Sequence, residues 1–128
     1  MLDVRVGVAQ AGPVQIELIQ QFDETPSVYR ELTAAGSTLM HQMATVTADY
    51  AATVAHYRSL GYELVCEVVS YGQHVGYLDT VADFGLYVEV IEAVPLFLEQ
   101  IAAISQTCAQ WDGTDPIRLL TRDGYRTP

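Results

Sequence analysis

Alternation of apolar and polar positions dominates the first twenty residues. Val4, Val6 and Val8 alternate with polar or small residues, and Val14, Ile16 and Leu18 do the same beyond Ala11-Gly12-Pro13. A period of two predicts strands, and the Gly-Pro pair supplies turn chemistry, so this segment reads as a β-hairpin. From Thr25 to Ala35 the pattern changes to a short linker helix. Val28, Tyr29 and Leu32 give it one apolar side, Pro26 suits its first turn, and Gly36 is placed to end it.

Leu39 to Val46 is the next strand candidate. Thr47 or Asp49 then offers an N-cap for a helix with Tyr50, Val54, Tyr57 and Leu60 on one side, stopped by Gly61. Glu63 to Val69, His74 to Leu78 and Tyr87 to Ile91 read as three more strands, separated by Gly72 and by a turn at Ala82-Asp83-Phe84-Gly85. Residues 37–92 thus form a βαβββ unit of α+β class. Pro95 opens a last helix whose stripe of Phe97, Ile101, Ile104, Cys108 and Trp111 should pack on the sheet. The tail from Asp112 to Pro128 has no period and reads as an extended or loosely ordered arm.

Composition narrows the function classes. The chain has 128 residues, half of them apolar and 17% charged, which suits one folded domain rather than a disordered chain. Sixteen acidic against six basic side chains give a formal charge of -10, which repels a phosphate backbone and argues against nucleic acid and anionic membrane surfaces as partners. No apolar run approaches the ~18 residues of a membrane span, and the polar N-terminal stretch has no signal-type core. Cys66 and Cys108 make no CxxC motif and no disulfide framework, so both are expected reduced, in the cytoplasm.

Three segments carry a resemblance. Gly12-Pro13-Val14-Gln15-Ile16-Glu17-Leu18-Ile19 is similar to the strand that closes the first module of glyoxalase-type proteins, where the Glu of an "IEL" segment points into the cleft; Glu17 matches it. Gly36 through Asp49 is similar to the opening strand of the second module, with His41-Gln42 at the usual His-His pair. Tyr77-Leu78-Asp79-Thr80 and the following Gly85 through Glu92 resemble the closing segment, with Glu89 at the second cleft Glu. On these residues the chain resembles the vicinal-oxygen-chelate superfamily: glyoxalases, bleomycin resistance proteins, dioxygenases and methylmalonyl-CoA epimerases.

The resemblance implies one glyoxalase-like domain. Residues 1–24 are then the closing hairpin of a partial first module, 25–36 the linker helix, 37–92 a complete βαβββ module and 93–128 a C-terminal helix and tail. It also implies a chain that lacks the front of the first module, and with it one of four metal ligands. The metal set would be Glu17, Gln42, Glu89 and His41, holding Mg, Mn, Co, Ni or Zn, with Glu89 and Glu17 as catalytic carboxylates and His74 and Tyr77 in the substrate pocket. Two carboxylates and an amide favour the harder ions of that series.

Strand parity bears on the pair. Gln42 shares a face with Ala44 and Val46, whereas His41 shares one with Met43 and Thr45, so Gln42 takes the usual His position unless a bulge turns His41 inward.

The implied function is a divalent-metal-dependent isomerase, epimerase or lyase acting next to a carbonyl of a small molecule or acyl-CoA. The alternative is a non-catalytic small-molecule-binding protein, or a remnant without a metal site. An unpaired sheet edge argues for a homodimer. Blander accounts stand beside each residue: Glu17 and Glu89 as solvent-facing strand residues, His41 as a satisfied histidine at a strand end, His74 as a surface histidine, His56 as exposed, and Asp79 as a turn residue.

Overall fold

The computed structural model describes residues 2–32, 37–121 and 124–128. Two strands, β1 (Val4–Ala11) and β2 (Val14–Gln21), pair antiparallel around Gly12-Pro13 as the alternation predicts. The base of this hairpin is tied by Asp23, whose carboxylate accepts from the backbone N–H of Asp3 and Thr25 and from the Gln21 amide. These donors hold the Asp23 carboxyl well below the usual carboxylate range.

The linker helix is shorter than predicted. α1 (Val28–Glu31) is a single turn, and Ser27 is its N-cap: the Ser27 hydroxyl accepts from Tyr29 N–H at 3.2 Å. Its expected end at Gly36 lies outside the described residues.

Next come β3 (Gln42–Thr47), α2 (Tyr50–Ser59), β4 (Leu64–Ser70), β5 (Gln73–Leu78) and β6 (Tyr87–Glu92), the βαβββ order read from the sequence. Asp49 is the N-cap of α2, accepting from Ala52 N–H at 2.9 Å. Gly61 adopts a positive φ of 97° just beyond the helix, a conformation a side chain would strain. The expected turn at 82–85 contains a short helix, α3 (Val81–Phe84), ended by Gly85 in the left-handed region. Thr80, wholly buried, donates its hydroxyl to the Leu86 carbonyl and closes that excursion.

The four strands form one sheet in the order β3-β6-β5-β4, with β3 parallel to β6 and the other pairs antiparallel. Each face carries a small core. On one side Tyr50 and Val54 of α2 pack on Leu78 and Val90; on the other Val28 of α1 packs with Tyr77 and Tyr87.

Two further expectations change. α4 (Pro95–Ala109) contacts β1 of the hairpin rather than the four-stranded sheet, and its Phe97, Ile101, Ile104 and Cys108 are half-buried while Trp111 stays exposed. The tail is not a loose arm: β7 (Leu119–Thr121) and β8 (Gly124–Arg126) pair antiparallel, a short hairpin whose few residues give no readable period. Among the described residues no helix is long and apolar enough to cross a membrane.

Candidate functional site

Glu89 occupies the middle of β6, the second strand of the sheet. The register places Ala44 of β3 on one side of it and Tyr77 of β5 on the other. Alternation then puts Gln42, Tyr87, Glu89, Tyr77 and Cys66 on one face, the face that α1 covers. Glu89 is only 6% exposed, and a carboxylate so placed must find donors. The Gln42 side-chain nitrogen donates to it at 2.9 Å, and the Tyr77 hydroxyl is near enough to lower its pKa as well. Burial nevertheless outweighs them and raises its pKa, helped by the nearby charge of Glu17.

Gln42 shares the face of Glu89, as strand parity requires. His41 lies one residue before β3, and although its carbonyl accepts from Tyr87 N–H at 3.0 Å, its ring turns to the same site as Gln42. Its Nε2 lies 2.9 Å from the Val28 carbonyl oxygen and its Nδ1 meets Gln42 Oε1. The ring is packed among Tyr29, Tyr77 and Tyr87, with centroids 5.2 to 6.2 Å away. His41 thus lies at a strand end and touches the site with both ring nitrogens against acceptor oxygens, contacts that are both hydrogen bonds only in the doubly protonated ring.

Glu17 reaches the site from the hairpin. As a residue it is exposed, but its carboxyl is partly desolvated, which raises its pKa, and its charge acts on both Glu89 and Tyr29. The two carboxyls chosen from the sequence thus share one environment.

The phenols complete it. Tyr29 and Tyr77 hydroxyls are 3.3 Å apart, and burial first, then the Glu89 charge on Tyr77, pushes both phenols up. Tyr87 is pushed up to about 12 by burial and by donating to Glu31 at 2.9 Å. All remain protonated donors at neutral pH. Tyr29 was read from the sequence only as an apolar helix residue. Its contact with Tyr77 spans 48 positions, and nothing local in the sequence signals it.

His74 is not brought to this site. Three positions from Tyr77 on the same strand, it points to the opposite face, stacked on Tyr50 at 5.1 Å with Nδ1 3.7 Å from Glu67 Oε1. A shallow cavity of about 500 Å³ on that side is lined by Tyr50, Glu67, His74 and Glu92 among others, and Glu89 is not part of its wall. His56 is exposed, and Asp79 accepts from Val81 N–H in a turn.

A family model for the glyoxalase/bleomycin resistance protein/dioxygenase superfamily matches residues 3–78, more than half of the chain. The chain belongs to that superfamily. No curated protein matches it. The match spans the hairpin, β3, α2, β4 and β5, and stops before Glu89.

Members of the superfamily often hold a divalent metal, and the polar set here can be tested for one. Gln42 turns its nitrogen, not its oxygen, toward Glu89; both nitrogens of His41 are engaged; Glu89 is bonded to protein donors. Among the described residues no three His, Cys, Asp or Glu side chains form a group able to hold an ion. These atoms are engaged with neighbouring groups rather than turned to a common centre, so the expected set of Glu17, Gln42, Glu89 and His41 does not fit a resident metal.

Proposed function

We propose that this superfamily member binds a small, largely apolar molecule beside Glu17, Tyr29 and Glu89, without a resident metal ion. One observation carries the reading: the four polar groups at the centre, His41, Gln42, Glu89 and Tyr77, bond one another instead of converging on a cation. Beside them the half-buried Tyr29 offers aromatic surface and a hydroxyl, and the exposed Glu17 offers an acceptor. That combination of apolar walls and a few polar anchors is what a small-molecule site uses for orientation.

The test is a screen of apolar aromatic and carbonyl-bearing fragments by amide NMR, paired with elemental analysis of the purified chain. Hits are expected to perturb Glu17, Tyr29, Tyr77 and Glu89 together, and to weaken in Glu89→Gln. A stoichiometric bound ion, or fragments that never touch these residues, sinks the reading.

A second reading has its own support. Two carboxyls with raised pKa values in one environment suit proton transfer next to a carbonyl, the reaction type of an isomerase, epimerase or lyase. Glu89 is the better base because it is the more buried. Incorporation of deuterium next to the carbonyl of a bound hit, lost in Glu89→Gln, supports catalysis; no exchange leaves plain binding.

The reading extends to a homodimer in the cytoplasm. A two-stranded hairpin is marginal alone in water, and here Leu18 is 73% exposed while Met43 and Val46 on the edge strand β3 are also uncovered. Two free thiols agree with a reducing compartment. A monomer mass by light scattering at micromolar concentration counts against the dimer.

A further inference from the structure

Gln42 carries one amide oxygen and one amide nitrogen, and which of them faces Glu89 decides what the position can do. The nitrogen lies 2.9 Å from Glu89 Oε2 and 3.4 Å from the Tyr77 hydroxyl; the oxygen meets His41 Nδ1. Turned over, the amide would set its oxygen against a carboxylate oxygen, acceptor against acceptor, at a residue that is nearly sealed from water. On the other side Nε2 stands 2.9 Å from the Val28 carbonyl oxygen, a second acceptor, so the ring makes both bonds only when both of its nitrogens carry protons. The tyrosine rings around it leave the imidazole little room to rotate. Backbone of α1, ring of His41, amide of Gln42 and carboxyl of Glu89 thus form one hydrogen-bonded line.

We propose that His41 is a positioning residue that holds the Gln42 amide with its nitrogen toward Glu89, so that this position presents a donor where an oxygen ligand would otherwise stand. Glu89 then receives its counter-group from the protein. The groups that face Glu89 agree with this assignment. Tyr77 on β5 donates, Tyr29 on α1 and His41 bring no negative charge, and Glu17 on β2 adds one that makes a donor more necessary. The inference rests on the metal-free reading of the cleft, yet it concerns the side-chain amide alone and needs no ligand.

The experiment uses the isotope-labelled full chain. The Gln42 side-chain amide is expected to give two resolved, exchange-protected proton resonances with contacts to the Tyr77 ring, and Mn²⁺ is expected to leave Gln42 and Glu89 unbroadened. In His41→Ala the protection is lost and Mn²⁺ broadening appears as the amide oxygen becomes free. His41→Asn, whose side-chain nitrogen replaces Nδ1, restores both wild-type features. Contacts of the amide protons to the His41 ring instead of Tyr77, or selective Mn²⁺ broadening in the wild-type chain, overturn the proposal without any variant having to fold. An amide still protected in a folded His41→Ala overturns it as well. Fragment hits or their lack bear only on the ligand reading.

Discussion

Tyr77 and Glu89 stand directly opposite each other in the antiparallel β5–β6 pair, close enough for the phenol to act as a donor toward the carboxyl. That donor lowers the Glu89 pKa against the stronger effect of burial. Tyr77→Phe is therefore expected to raise the Glu89 titration midpoint further. Glu17→Gln removes a neighbouring negative charge and is expected to lower it. Carboxyl carbon NMR over a pH series reads both; shifts of the same sign in the two variants contradict the assigned geometry.

Stability should follow pH in a defined direction. The folded-state pKa of Glu89 lies above its ordinary 4.5, so the folded chain holds a proton the unfolded chain releases. This contribution is fully present below 4.5 and is lost as pH rises through the raised value. Glu17 acts with the same sign. Urea unfolding at several pH values should show Glu89→Gln flattening this decline, and an unchanged slope contradicts the burial of an ionisable Glu89.

Asp23 works in the opposite sense. Its depressed pKa marks a contribution present above the ordinary 3.8 and lost as pH falls. Asp23→Ala is expected to speed hydrogen exchange at the amides of Asp3 and Thr25 at neutral pH while leaving β4 to β6 protected. Unchanged exchange at both amides means the carboxylate does not tie the hairpin base.

Gly76 is required for a reason of space. A Cβ there would lie 2.3 Å from the Tyr50 hydroxyl oxygen and 2.8 Å from Leu64 Cδ1. Gly76→Ala is expected to destabilise the fold by about 1–3 kcal/mol, the usual range for overpacking. Adding Tyr50→Phe should recover part of that loss in a double-mutant cycle, and strict additivity shows that the hydroxyl is not the obstacle.

Some of this was legible in the residues and some was not. The βαβββ order followed from clean changes of period at Asp49, Gly61 and Gly72, and parity alone placed Gln42 toward the cleft. The same parity, applied to β5, separates His74 from Tyr77, so their shared pocket was never compatible with a regular strand. His41 departs from the rule at the very end of β3, where its ring is taken up by Gln42 Oε1 and the Val28 carbonyl. Tyr29, the hairpin at 119–126 and the seat of α4 on β1 depend on contacts between distant segments, which no local period encodes. The metal set failed for a chemical reason: ligand identity says which atoms a residue owns, not which of them a neighbouring histidine has already engaged.

The parallel pairing of β3 with β6 has a kinetic side. Gln42 and Glu89 are 47 positions apart, and α2, β4, β5 and α3 all lie between them. Helix α2 and the β4–β5 hairpin can form from near neighbours, whereas this pairing must close the longest loop in the sheet. The surroundings of Glu89 are thus completed by the event that also finishes the module, so a chain caught short of its native state would carry a nearly whole helix and hairpin but no Gln42–Glu89 contact at all.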